Sequence, residues 1–176
     1  DGTYQEFFEN NKIAFTGSGA QSSRLCFDKA KAKEAARAKK IPLADELRVH
    51  FDSEKSISQL KSFFTDKKKI VLKPNANGSS FGLFIVATTA ELERAIAQIK
   101  TSDELDYMAE EFISGREMTV GVLDKINNSG ILHLPLAVSE VILDHGSSFD
   151  YQGKYLGRGS QEITPAAVSE VEKKQC

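Results

Sequence analysis

Long apolar runs, clustered histidines, a cysteine framework and a strong excess of either charge are all missing from this 176-residue chain. Each absence removes a class of function. The two cysteines, Cys26 and Cys176, are too few and too far apart in sequence for a disulfide scaffold. Nothing therefore calls for an oxidising compartment, and cytoplasmic residence is the simplest reading. His50, His133 and His145 are scattered without metal-ligand spacing. A formal net charge of -2 gives no general affinity for nucleic acid or for an anionic membrane. The apolar runs are only a few residues long, far short of a membrane span. No charged-then-apolar signal segment opens the chain, and there is no internal repeat or low-complexity segment.

What remains is a globular composition, 40% apolar and 27% charged, enough for one fair-sized core or two small lobes. Thr3 to Asn10 reads as a short helix, and Ile13-Ala14-Phe15 as a short strand. Asp28 caps a basic, alanine-rich helix from Lys29 to Lys40. Most of its lysines fit a solvated face; with no interleaved aromatics they do not make a nucleic-acid patch. Leu47 to Phe51 reads as a strand and Ser53 to Phe64 as a helix. Thr88 and Glu91 have the spacing of a capping box, followed by Leu92, Ala95, Ile96 and Ile99 at helical period. Strands follow at Asp106–Glu110 and Met118–Leu123, then an Asn127-Asn-Ser-Gly130 hairpin turn. Ile131–Val138 and Glu140–Leu143 are read as two further strands, with Pro135 suggesting an edge or a bend. Asp144 to Thr164 is a glycine-rich stretch without period, of a length usual for functional loops. Thr164-Pro165 looks like the start of another helix. Asp1 and Cys176 both have the look of cut ends.

The most informative stretch is Ile70 to Gly82. A strand ends in Lys73, a Gly-Ser-Ser loop follows, and a second strand begins at Leu83. Gly78 and Gly82 would permit left-handed backbone and close approach to a ligand. Ser79, Ser80 and Lys73 would add donors and a compact positive charge. Such a loop can hold a polyphosphate, but read alone it fits an ordinary hairpin tip better. Likewise the pair Glu110/Glu111 alone fits a solvated strand end, and Tyr155 alone a surface tyrosine.

In combination these parts closely resemble the D-alanine–D-alanine ligases of the ATP-grasp family. The resemblance is carried by Asp1-Gly-Thr-Tyr-Gln, Ile13 to Gly19, Asp28-Lys29 with Lys33, and Lys73-Pro74 with Gly78-Ser79-Ser80 and Gly82. It continues through Glu110 to Glu117, Asp150-Tyr151 with Lys154-Tyr155, and Pro165-Ala166. It implies an α+β, ATP-grasp fold: a small nucleotide lobe plus the start of a larger, mostly antiparallel lobe. Residues 1–20 would be the tail of an N-terminal substrate domain, 21–113 the small lobe, and 114–176 the incomplete second lobe.

The family's roles fall on matching positions only. Lys33 and Lys73 would grip the nucleotide phosphates, and backbone around Ser79 and Ser80 would cover them. The strand Glu110, Glu111, Phe112 and Ile113 would meet the adenine, with Glu110 on its amino group and the Ile113 backbone on its edge. Glu117 would accept from the ribose hydroxyls, and Lys154 would reach the terminal phosphate. Ser79 and Tyr155 would hydrogen-bond across the cleft to close a lid, keeping an acyl phosphate from water. The implied reaction joins two D-alanines: one carboxylate takes the γ-phosphate of ATP, and the second amine displaces phosphate. Magnesium would assist, but the family's metal ligands lie beyond the equivalent of Cys176, so no metal ligand is expected here. The substrates would be D-alanine and ATP; the resemblance also suggests a homodimer and a role in peptidoglycan precursor synthesis. On this reading the 176 residues alone are not an active ligase. A ligase with another second substrate, such as D-lactate, and a non-catalytic nucleotide-binding module remain alternatives.

Overall fold

The computed structural model describes residues 1–143 and 160–175. The chain divides into two compact units, Asp1–Ile113 and Ser114–Cys176.

The first unit opens with α1 (Thr3–Asn10), α2 (Ala20–Phe27) and α3 (Lys29–Ala38). Gly2 caps α1 with φ +86°, and a Cβ there would lie 2.6 Å from the carbonyl oxygen of Ala20. Only glycine tolerates both the left-handed backbone and that close approach. Ile13–Phe15 is not a strand. No sheet neighbour is at hand, and Phe15 stacks on Phe8 of α1 instead, ring centroids 5.5 Å apart. Asp28 caps α3 as expected, accepting from the Lys31 N–H, although the helix stops at Ala38.

A four-stranded antiparallel sheet follows: β1 (Glu46–His50), β2 (Ile70–Pro74), β3 (Phe84–Val86) and β4 (Asp106–Glu111), in the order β1-β4-β2-β3. Helices α4 (Glu54–Lys67) and α5 (Thr89–Lys100) supply the apolar residues that cover one face. The Thr88/Glu91 capping box is complete in both directions. Val49, Leu60, Ile70, Leu72, Leu92, Ile99 and Ala109 are at most 2% exposed and form the centre of the core. Strand period 2 then dictates the other face. Glu46, Val71, Lys73, Met108 and Glu110 alternate with the core residues and point away from α4 and α5.

In the second unit, β5 (Glu117–Asn127) and β6 (Gly130–Leu143) form a long hairpin, and β7 (Ser160–Ile163) pairs with the end of β6. The two strands expected over Ile131–Val138 and Glu140–Leu143 are one: β6 runs unbroken through Ser139, which pairs with Thr119, while Pro135 lies opposite Val122 beside a register shift. Among the described residues β7 reaches only Glu140–Leu143, so at Pro135 the strand has a partner on one side. The missing N–H can face the open edge. Helix α6 (Glu170–Gln175) does not start at Thr164-Pro165. The Thr164 hydroxyl instead meets Ser139 of β6, and Ser169 caps the helix by accepting from Glu172 N–H. Arg116 ties this unit together, forking onto Glu140 and donating to the Ala167 carbonyl.

Candidate functional site

The face of the first sheet away from α4 and α5 carries Lys73 and Glu110, two of the expected site residues. Register places Glu46 of β1 directly across from Glu110 of β4. Two carboxylates in that position repel each other and need a cation between them. Lys33 of α3 supplies it, 2.7 Å from Glu46 Oε2 and 2.9 Å from Glu110 Oε1. Lys73 of β2 stands two pairs along the ladder, opposite Met108, and its long side chain reaches back diagonally to Glu110 Oε2. Arg37, one turn beyond Lys33, pairs with the other oxygen of Glu46. The cluster is largely enclosed: side-chain exposure is 14% for Lys33, 11% for Glu110 and 17% for Glu46.

Its electrostatics follow from that packing. Burial works to lower the Lys33 pKa, but hydrogen bonds to Glu46 and Glu110 outweigh it, and the net shift is upward. Burial works to raise Glu46, but hydrogen bonds from Lys33 and Arg37 hold it below the ordinary carboxylate range. Lys29 is shifted down, first by burial and then by repulsion from Lys73. Lys33 and Lys73 thus meet Glu110, Lys33 and Arg37 meet Glu46, and Lys29 stands beside them, so that several cationic donors are gathered on one face. Glu110 is held at both oxygens, Oε1 buried against Lys33 at 2.9 Å and Oε2 paired with Lys73.

The loop after β2 borders this cluster. Its left-handed residues are Ser79 (φ 56°), Ser80 (φ 57°) and Gly82 (φ 69°), not the expected Gly78. Two consecutive non-glycine residues in that region cost of order 1 kcal/mol each, a strain characteristic of ligand loops. Gly82 is required for space as well: a Cβ would stand 2.9 Å from the Tyr107 hydroxyl and 3.0 Å from Pro74 Cγ. Lys29 Nζ donates to the Asn77 carbonyl at 2.7 Å, tying the loop to α3.

The structure therefore brings Lys33, Lys73 and Glu110 together, with Ser79 and Ser80 on the loop that follows Lys73. Glu111 points to the opposite face: its carboxylate accepts from Asp45 N–H at 3.0 Å and faces Lys67. Phe112 is held by its own N–H, donated to the Lys69 carbonyl at 3.0 Å, and by Lys69 Nζ over its ring. Ile113 closes the unit with an exposed side chain. Glu117 begins β5 in the second unit, exposed and opposite Val141. Lys154 and Tyr155 lie outside the described residues, as do Asp150 and Tyr151. Sequence reasoning missed Glu46, whose part depends on cross-strand register, and Lys29 as a site residue, although it stands beside the Asp28 cap.

Among the described residues no group of histidine, cysteine, aspartate or glutamate could hold a metal ion, and no helix is long and apolar enough to cross a membrane. The two acids of the cluster are taken by lysines, so they do not fit magnesium.

A family model described as the D-ala D-ala ligase C-terminus matches residues 47–176. The D-alanine–D-alanine ligase of Sinorhizobium fredii is 36% identical in an alignment covering 96% of this chain and 51% of that protein. That of Agrobacterium fabrum is 38% identical over the same shares, 96% and 51%. Among solved structures, the VanG D-Ala:D-Ser ligase from Enterococcus faecalis superposes with a TM-score of 0.80 at 29% identity, covering 99% of this chain and 49% of that one. The chain spans about half the length of the curated relatives it matches.

Proposed function

The chain belongs to the D-alanine–D-alanine ligase family and has its α+β, ATP-grasp fold; from that premise we propose that it is the nucleotide-holding part of an ATP-dependent ligase. The parent protein would join two D-alanines through an acyl phosphate, as a cytoplasmic homodimer supplying peptidoglycan precursors. Residues 1–20 would be the tail of an N-terminal domain, 21–113 the small lobe and 114–176 the start of the larger lobe.

The observation that carries the proposal is the Lys33–Glu110–Lys73 cluster beside a strained serine loop. Both lysines carry donors in a fixed, partly desolvated setting where a phosphate is held more strongly than in water. The loop at Ser79 and Ser80 would cover that phosphate. Glu110, an acceptor-only carboxylate, would take the amino group of adenine and would disfavour a carbonyl in its place. Glu111 and Phe112 would act through the backbone position of β4, since their side chains are engaged elsewhere. The Ile113 backbone would meet the adenine edge. Glu117, Lys154 and Tyr155 would serve the ribose, the terminal phosphate and lid closure from the second lobe. ATP supplies the phosphoryl group that activates a carboxylate. Magnesium would be held by residues other than those described, and no step is assigned to it.

D-Alanine-dependent ADP release tests the proposal. The parent protein is expected to turn over and these 176 residues alone are not. Turnover by the isolated chain at the rate of the parent, or none by the parent, would overturn it. A relative of this fold bears D-Ala:D-Ser in its name, so the assay includes D-serine and D-lactate as second substrates; D-alanine is the expected one.

A further inference from the structure

The residue after Pro74 is a fully enclosed polar side chain with no part in the lysine–carboxylate cluster. Asn75 is 2% exposed, and each of its polar groups is used. Its N–H donates to the Asp106 carbonyl of β4 at 2.9 Å, and its own carbonyl accepts from Lys29 N–H at 3.0 Å. Its side-chain Oδ1 accepts from Ala30 N–H at 3.0 Å, and its Nδ2 donates to Asp28 Oδ1 at 3.1 Å. Asn75 thus satisfies two of the first-turn N–H groups of α3 that have no partner within the helix. It also holds the capping carboxylate Asp28, which in turn accepts from Lys31 N–H at 3.2 Å.

This joint fixes two things at once. One is the start of the loop carrying Ser79 and Ser80. The other is the first turn of α3, from which Lys29 reaches Asn77 and, one turn on, Lys33 reaches Glu110. A glutamine or lysine could not make these bonds from the end of β2 without leaving a buried partner unsatisfied. At the loop's other end Gly82 rests against Tyr107 and Pro74. The loop is therefore mounted on two posts, and it is the Asn75 post, with Lys29 on the Asn77 carbonyl beside it, that meets the first turn of the lysine helix.

We propose that Asn75 is a positioning residue of the nucleotide site: it latches the first turn of α3 to the phosphate loop, so that Lys29, Lys33 and the loop are presented to the phosphates as one unit. The proposal rests on the nucleotide reading above. It concerns the phosphate end only, because Glu110 is set by β-sheet register and not by the latch.

The test uses Asn75→Asp, Asn75→Ala and the exchange Asn75→Asp with Asp28→Asn. Asn75→Asp sets two carboxylates against each other. The exchange restores one donor and one acceptor, and asparagine caps a helix as well as aspartate does. Binding of ATP and of adenosine is measured by calorimetry on the parent protein, with hydrogen exchange of the Lys29 and Ala30 amides followed in parallel. Either single substitution is expected to weaken ATP about tenfold, the loss of one to two buried hydrogen bonds. Adenosine binding is expected to stay within about twofold, and faster exchange is expected at Lys29 and Ala30 but not in β1 or β4. The exchange variant should recover both properties. Equal losses for ATP and adenosine, or failure of the exchange to rescue a folded protein, would overturn the positioning role. If unmodified protein binds neither ligand, the nucleotide reading falls. Exchange then decides the latch by itself, and unchanged amide protection in Asn75→Ala would reject it.

Discussion

The two units solve the same problem, an antiparallel sheet that must cover its apolar face, in different ways. In the first unit α4 and α5 close one face, and the described residues buried there run from Val49 to Ala109. In the second, Val138 is the single buried apolar residue among those described, while Val122, Leu123, Ile126 and Ile131 are more than half exposed. The difference separates stability from recognition. A sheet closed on one side can spend its other face on charges, and Glu46, Lys73 and Glu110 occupy that face in the first unit. The described part of the second unit is tied mainly by its hairpin ladder and by Arg116.

The largest expected effect breaks the core of the first unit. Leu60→Ala, at a position with 0% exposure, is expected to cost about 2–5 kcal/mol in urea unfolding. Ile126→Ala, on the exposed hairpin, is expected to stay within about 0.5 kcal/mol. Equal costs would erase the contrast between the units. Next comes Lys33→Met, which removes the cation between Glu46 and Glu110 but leaves Arg37 on the first and Lys73 on the second; about 2 kcal/mol of destabilisation is expected. The matching change Arg116→Met, whose side chain is 41% exposed, is expected to cost clearly less than Lys33→Met. Thr88→Ala removes one arm of the α5 capping box and is expected to cost about 1 kcal/mol.

The smallest effect is a pH dependence. Glu46 is held below the ordinary carboxylate range in the folded chain, despite the opposing push of burial. Its contribution is therefore present above that range and is lost as pH falls through it. Glu46→Gln is expected to flatten the acid limb of a stability profile, whereas loss of stability at neutral pH with an unchanged acid slope would contradict the assignment.

What could be read in advance divides along the same line. Local signals were legible: Asp28 and Thr88 as caps, the Ile57–Leu60 and Leu92–Ile99 periods, and the Asn127–Gly130 turn all depend on neighbours in sequence. Long-range pairing was not. Glu46 reads as an ordinary acid until register sets it against Glu110, and Asn75 reads as a turn residue after proline until the first turn of α3 is seen to rest on it. Ile13–Phe15 had strand composition but no strand beside it. Thr164 had the look of a helix cap, yet its hydroxyl was claimed by Ser139. Of the candidate site, Lys33, Lys73 and Glu110 were legible by their resemblance to a family motif. The direct lysine–carboxylate contacts that hold them could come only from the fold.

Lys73, paired with Glu110, is proposed to hold the phosphates of a nucleotide. Calorimetric titration of ATP into the parent protein and its Lys73→Ala variant tests that claim most directly. Loss of a charge-assisted contact in a partly enclosed site is expected to weaken ATP about a hundredfold, with the thermal unfolding of the first unit still cooperative. An ATP affinity unchanged by the substitution would remove Lys73 from the site and contradict the account.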